Sequence, residues 1–139
     1  MKTPIFENYI HQILENSTVE VPAWNIEKIK NGGKSGWNYI DGCMILALLE
    51  IYSVTGEEAY YTFADAFVDW RVEDDGTIKG YSVENYNIDD VNMGKTLFLL
   101  YKINGKEKYR KARNLLINEN MSTCESLVLI ISGKTTAVL

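Results

Sequence analysis

The segment IYSVTGEEAYY (residues 51–61) decides the fold, because LYKINGKEKYR (residues 100–110) repeats its pattern later in the chain. The offset between the two copies is 101 − 52 = 49 residues. A fixed period of this size indicates stacked supersecondary units. Tetratricopeptide and ankyrin repeats fit it poorly, because their periods are about 33–34 residues. The identical positions in the two copies are Tyr52 and Tyr101, Gly56 and Gly105, Glu58 and Glu107, and Tyr60 and Tyr109.

Each repeat unit combines a strongly apolar helix, a short turn and a more amphipathic helix. We therefore predict an all-α toroid of helical hairpins, in which amphipathic outer helices surround apolar inner helices. The polar connection EDDGTIKGYSVENYN, residues 73–87, allows a short strand pair. The predicted inner helices cover about residues 37–54 and 89–103, the outer helices about 57–72 and 106–119, and a first helix about 4–16.

The repeat also relates two acidic helix entrances, WNYIDG (residues 37–42) and IDDVNMGK (residues 88–95). Subtracting the offset from Asp90 gives 90 − 49 = 41, which is Asp41. Both aspartates therefore belong to the same end of successive inner helices. In a toroid these ends line one mouth, so we expect a shared rim. The aromatic residues expected at this rim are Trp37, Tyr39 and Tyr86.

Each candidate at the rim has a purely structural alternative. Aspartate is a favoured helix N-cap, and an acidic first turn complements the helix dipole. A cap needs one carboxylate, so if Asp89 caps the helix, Asp90 remains for another role. The helix dipole is expected to lower the pKa of that remaining carboxyl group. Trp37 and Tyr39 have packing as their alternative, which is the more frequent role of aromatic side chains.

Composition and charge exclude several classes of function. The net charge of −5 and the pI of about 4.9 leave no basic footprint, so no nucleic-acid partner is expected. The N-terminal stretch MKTPIFENYIHQIL lacks the apolar core of a signal peptide. The longest apolar run, CMILALLEIY, is too short to span a bilayer. We expect a cytoplasmic protein with no membrane partner.

The two cysteines, Cys43 and Cys124, give no disulfide framework and no zinc-site spacing. We therefore expect no metal site. Cys43 lies in the apolar helical stretch CMILALLEIY, where a buried and reduced thiol is the usual state of a free cysteine.

A resemblance to a known protein family covers about residues 20–118. It runs from VPAWNIEKIKNG through WNYIDGCMILALLEIY, FADAFVDWRV and DGTIKGYSVENYNIDDVNMGKTLFLLYK to GKEKYRKA. These segments closely resemble bacterial glycoside hydrolase families 105 and 88, and most of all the unsaturated rhamnogalacturonyl hydrolases of family 105. The resemblance implies an (α/α)6 barrel of six helical hairpins. Residues 1–120 would then form the N-terminal part of that domain, a partial barrel.

The activity that the resemblance implies is the removal of an unsaturated galacturonyl or glucuronyl residue from lyase-generated oligosaccharides, as in pectin degradation. An aspartate protonates C4 of the C4=C5 double bond, water adds at C5, and the hemiketal rearranges to release the aglycone. No metal or organic cofactor is implied. By the same resemblance Asp90 is the first candidate for a catalytic carboxylate, and Asp89 is the second. The residues implied in binding the unsaturated uronic-acid oligosaccharide are Trp37, Asn38, Tyr39 and Asp41.

Two features depart from that family. Its main acid/base aspartate lies in a W-x-D-G motif on a later inner helix, and the 139 residues do not contain this motif. Residues 121–139 lose the family pattern, and we interpret them as an aberrant, frameshifted tail. We therefore expect this fragment to be inactive and to self-associate through exposed inner helices. The alternative function is an inactive, truncated helical-repeat protein that binds a sugar or a partner.

Overall fold

Seven α-helices account for most of residues 4–33, 36–85 and 88–118, which are the residues that the computed structural model describes. Two 3-10 turns, Ala23–Asn25 and Val83–Asn85, accompany them. Tyr86 of the predicted rim and the whole predicted tail, 121–139, lie outside the described residues. The helices are α1 Pro4–Glu15, α2 Ile26–Lys30, α3 Tyr39–Thr55, α4 Glu58–Arg71, α5 Ile88–Met93, α6 Lys95–Asn104 and α7 at 107–118.

The hairpin turns of the two repeat units have the same geometry. Gly56 ends α3 with φ of 71°, and Gly105 ends α6 with φ of 67°. Each glycine N–H donates to the carbonyl of the tyrosine four residues earlier, Tyr52 or Tyr101, at 2.8 Å. Glycine is favoured here because a left-handed backbone costs other residues conformational energy. The predicted 49-residue repeat is therefore a repeat of structure as well as of sequence.

The core lies between the inner helices and their outer partners. The inner helix α3 packs on α4 of its own hairpin and on α5 and α6 of the next one. Gly42 makes the closest approach, because a Cβ atom built on it would lie only 2.9 Å from the Met93 Cα atom. The largest fully buried apolar side chains are Tyr60, Tyr109, Phe67, Ile45, Leu48, Met93, Leu97 and Leu100.

A polar seam also joins the two outer helices. The Lys106 Nζ atom lies 2.7 Å from both the Asp65 Oδ2 and the Asp69 Oδ1 atoms. The buried Tyr109 hydroxyl donates to the Asp65 Oδ1 atom at 2.6 Å, and Lys108 pairs with Asp69 at 3.0 Å. We call this group of five side chains the polar seam. It links α4 to the start of the second outer helix through charge-assisted hydrogen bonds.

The predicted helix bounds agree with the structure to within about two residues. The second inner helix contains a turn at Gly94, which separates α5 from α6. In the connection between the hairpins, the described residues form one isolated antiparallel bridge, Val72 with Ile78. Within the described ranges, none of the helices is both long and apolar enough to cross a lipid bilayer.

Two expectations about the inner helices are wrong. Cys43 is exposed, because α3 turns Gly42 and Ile45 toward the core and leaves Cys43 at its edge. There the Cys43 Sγ atom lies 3.7 Å from the Asn92 side-chain nitrogen. Neither Asp89 nor Asp90 is at the capping position, since α5 already begins at Ile88 and both aspartates lie within its first turn.

Candidate functional site

The two acidic helix entrances lie side by side in the structure. The Trp37 indole Nε1–H, just before α3, donates to the Asp90 main-chain carbonyl at 2.7 Å. One turn further along, Gly42 meets Met93. The start of α3 therefore packs directly against α5, as the 49-residue offset predicts. We call this junction the rim, and it includes Trp37, Asn38, Tyr39, Asp41, Asp89 and Asp90.

Asp41 is fully buried within the rim. Its Oδ1 atom accepts hydrogen bonds from Trp24 Nε1 at 2.7 Å and from Asn25 Nδ2 at 2.6 Å. Its Oδ2 atom accepts from Asn38 Nδ2 at 2.6 Å. Burial raises the pKa of Asp41, although these hydrogen bonds and the positive charge of Arg71 act against the shift. In this arrangement the Asp41 carboxylate is enclosed by protein groups and has no exposure to solvent.

Asp90 is also buried, whereas its neighbour Asp89 is exposed. Burial raises the pKa of Asp90, and the negative charge of Asp89 raises it further. The expected lowering by the helix dipole is therefore outweighed by desolvation. A carboxyl group with a raised pKa keeps its proton closer to neutral pH, which is the property that a general acid needs.

The aromatic segment before α3 divides into packing and exposed residues. Trp37 is only 3% exposed, so in this structure its ring packs in the core. Asn38 caps α3, because its Oδ1 atom accepts from the Asp41 N–H at 3.0 Å. Tyr39 is 51% exposed and is the one of the three whose ring is open to solvent. Tyr39 can therefore stack on a sugar ring in its present position, whereas the Trp37 ring would first have to move out of the core.

A cavity of about 550 Å³ lies on the flank of the second hairpin and meets the rim at Tyr39 and Asp89. Repeat-equivalent positions show why it is open. Phe98 occupies the position in the second hairpin that Leu49 occupies in the first. Leu49 is only 4% exposed, whereas about half of Phe98 is exposed, 49%. Val68 is likewise 0% exposed, against 40% for Ile117. The second hairpin covers the first, and among the described residues nothing covers the second in the same way. The other lining residues are Val91, Asn92, Gly94, Lys95, Arg113 and Leu116.

Across the described ranges, the histidine, cysteine, aspartate and glutamate side chains form no group of three or more that could hold a metal ion.

Comparison with known proteins identifies the family. The sequence profile of Glycosyl Hydrolase Family 88 matches residues 9–127. The chain belongs to this family. A solved glycoside hydrolase of family 105 from C. acetobutylicum ATCC 824 is also similar, with a TM-score of 0.65 and 31% sequence identity. The match covers 82% of this chain and 28% of that one. The prediction of an all-α, partial helical-hairpin barrel related to families 88 and 105 is confirmed.

Sequence reasoning missed three residues that support the rim of this family 88 chain, namely Trp24, Asn25 and Arg71. Trp24 and Asn25 lie in the segment VPAWN and hold the Asp41 carboxylate. Arg71 ends α4 and is fully buried. A cation at a helix C-terminus normally indicates an exposed side chain that complements the helix dipole, so the burial of Arg71 could not be predicted. For Trp24 and Asn25, the only feature of the sequence that could have indicated a role was the Trp-Asn pair just before a helix.

Proposed function

We propose that this chain supplies part of the active-site rim of a glycoside hydrolase that removes unsaturated uronic acids from lyase-generated oligosaccharides. The observation that carries the proposal is Asp90, a buried carboxyl group with a raised pKa beside the second carboxylate Asp89. Family 88 membership supports the reaction class. In the proposed reaction a carboxyl group protonates C4 of the C4=C5 double bond. Water then adds at C5, and the hemiketal opens to release the aglycone.

The rim residues take different roles in this proposal. Asp90 is the carboxyl group beside the reacting double bond, and Asp89 helps to keep it protonated. Tyr39 is the ring on which the sugar face stacks, since it is exposed where Trp37 is buried. Trp37 and Asn38 support the rim through hydrogen bonds, Trp37 to the Asp90 carbonyl and Asn38 to the Asp41 carboxylate. Pectin-derived oligosaccharides fit as the source of substrate, because lyases that cleave pectin leave such an unsaturated end.

A chimera tests the proposal. Residues 20–118 replace the matching segment of the C. acetobutylicum family 105 protein, and the ultraviolet absorbance of the conjugated double bond is followed on an unsaturated galacturonyl-rhamnose disaccharide. We expect turnover by the chimera and a loss of about 10²-fold or more in kcat for Asp90→Asn. Asp74→Asn, at an exposed carboxylate in the connection, is the matched control and should leave kcat unchanged.

The result that contradicts the proposal is a folded chimera in which Asp90→Asn turns over as fast as its parent. The 139-residue chain by itself is expected to be inactive, because it lacks the W-x-D-G aspartate that the resemblance implies. Turnover by the isolated chain would show that Asp90 and Asp89 suffice without that aspartate.

A second candidate function is a non-catalytic helical-repeat protein. The observation that favours it is the apolar cavity on the flank of the second hairpin, where Phe98 and Ile117 are exposed although their repeat equivalents are buried. An exposed apolar surface of this kind marks a site of association. It predicts self-association of the chain without any turnover.

A further inference from the structure

The segment 36–38, which leads into α3, is held from two sides by buried charged side chains. On one side the Arg71 Nε–H donates to the Gly36 carbonyl at 3.4 Å, and Nη1 donates to the Val19 carbonyl at 3.0 Å. On the other side the Asp41 carboxylate accepts from the Asn38 side chain at 2.6 Å. Arg71 and Asp41 are both fully buried. The backbone on either side of Trp37 is therefore tied to the protein interior.

Arg71 and Asp41 also interact electrostatically with each other. Burial lowers the pKa of Arg71 to about 10, and the charge of Asp41 opposes that shift. The positive charge of Arg71 likewise opposes the raised pKa of Asp41. The Arg71 guanidinium also lies over the Phe67 ring, 3.5 Å from its centroid, which adds a cation–π attraction. Two buried charges that compensate each other resist displacement, because losing either leaves the other uncompensated in the interior.

Trp37 carries this constraint to the second repeat unit. Its indole N–H donates to the Asp90 carbonyl at 2.7 Å, across 53 residues of sequence. Because the ring is buried, its direction is set by the segment 36–38 and by the packing around it. A shift of Gly36 or Asn38 would therefore move the indole relative to the Asp90 backbone.

We infer that Arg71 and Asp41 are positioning residues, which fix the segment 36–38 and thereby, through the Trp37 indole, the Asp90 backbone. Asp41 then acts from the buried side of the rim, by holding Asn38, and does not bind substrate directly. The inference rests on the proposed function only in treating Asp90 as the group that needs to be positioned. The chain of contacts itself can be measured without turnover, so the two proposals can fail separately.

Nuclear magnetic resonance of the intact 139-residue chain tests the inference. The readouts are the hydrogen exchange rate of the Trp37 indole N–H and the carbonyl ¹³C shift of Asp90. Trp37→Phe assigns the indole signal among the three tryptophans and gives the Asp90 shift without the hydrogen bond. In Arg71→Lys and Asp41→Asn we expect the indole to exchange at least about tenfold faster, the size expected for a weakened buried hydrogen bond. The Asp90 shift should move toward its Trp37→Phe value.

Arg71→Lys keeps the charge but loses the guanidinium fork, so it provides a variant that retains the buried cation if Asp41→Asn does not fold. Asp69→Asn is the matched control, because it weakens the polar seam from the same helix as Arg71 without touching the segment 36–38. It should leave both readouts at their wild-type values. Unchanged readouts in the folded Arg71 and Asp41 variants would overturn the inference. So would an equal change in Asp69→Asn, since the effect would then be general loosening.

Discussion

Gly42→Ala provides a direct test of how closely the two inner helices approach. A Cβ atom at position 42 would lie 2.9 Å from the Met93 Cα atom and 3.0 Å from the Met93 nitrogen. These are backbone atoms, so the contact can be relieved only by moving α3 and α5 apart. At an open helical site the same change would stabilise by about 1 kcal/mol, because alanine is the better helix former. Overpacking against a rigid neighbour costs about 1–3 kcal/mol.

We therefore expect Gly42→Ala to lower the free energy of unfolding by about 1 kcal/mol. Helix propensity alone would raise it by about 1 kcal/mol. The assay is urea unfolding of the chain followed by circular dichroism. Ala47→Gly, at an exposed position of the same helix, measures the propensity term separately and should cost about 1 kcal/mol. A higher unfolding midpoint for Gly42→Ala would refute the close approach, and with it the packing that forms the rim.

Two further predictions concern the polar seam and the cavity. Burial disfavours the charged form of Asp69, but hydrogen bonds from Lys106 and Lys108 prevail and hold its pKa below the ordinary 3.8. As the pH falls, the Asp69 carboxylate therefore takes up a proton in the unfolded chain before it does so in the folded chain. The free energy of unfolding should fall as the pH drops from about 4 through the lowered pKa. In acid unfolding experiments, this fall should be shallower for Asp69→Asn. For the cavity, Phe98→Asp should weaken self-association in analytical ultracentrifugation, whereas Val54→Asp, at a side chain 85% exposed on the first hairpin, should not. Equal association of both variants would place the contact elsewhere.

The helices and their repeat could be predicted because their signals are local. The turns at Gly56 and Gly105 need a left-handed backbone. A glycine directly after a periodic apolar run predicts such a turn. The 49-residue offset then pairs Asp41 with Asp90 and predicts both helix entrances on one rim. The family resemblance suggested the reaction class, which stays a proposal, and the family itself is shown by the match over residues 9–127.

The roles of the individual rim residues could not be predicted in this way. Asp41 and Asp90 occupy equivalent positions in the repeat, yet Asp41 is enclosed by Trp24, Asn25 and Asn38, while Asp90 lies beside an exposed carboxylate. Trp37 and Tyr39 are two residues apart, yet one is core and the other is solvent-exposed. Cys43 was expected to be buried from its apolar neighbours and is exposed.

Sequence by itself determined which segments are helical, where the hairpins turn and which helix ends coincide, because those properties depend on residues a few positions apart. Tertiary structure alone decided which carboxylate is enclosed, which aromatic ring is open and why Arg71 is buried. The deciding contacts join positions far apart in the chain, 16 residues between Asn25 and Asp41, 35 between Gly36 and Arg71, and 53 between Trp37 and Asp90. Apolar periodicity shows that a helix face needs cover, but only packing determines which neighbour provides it and which polar groups are desolvated as a result.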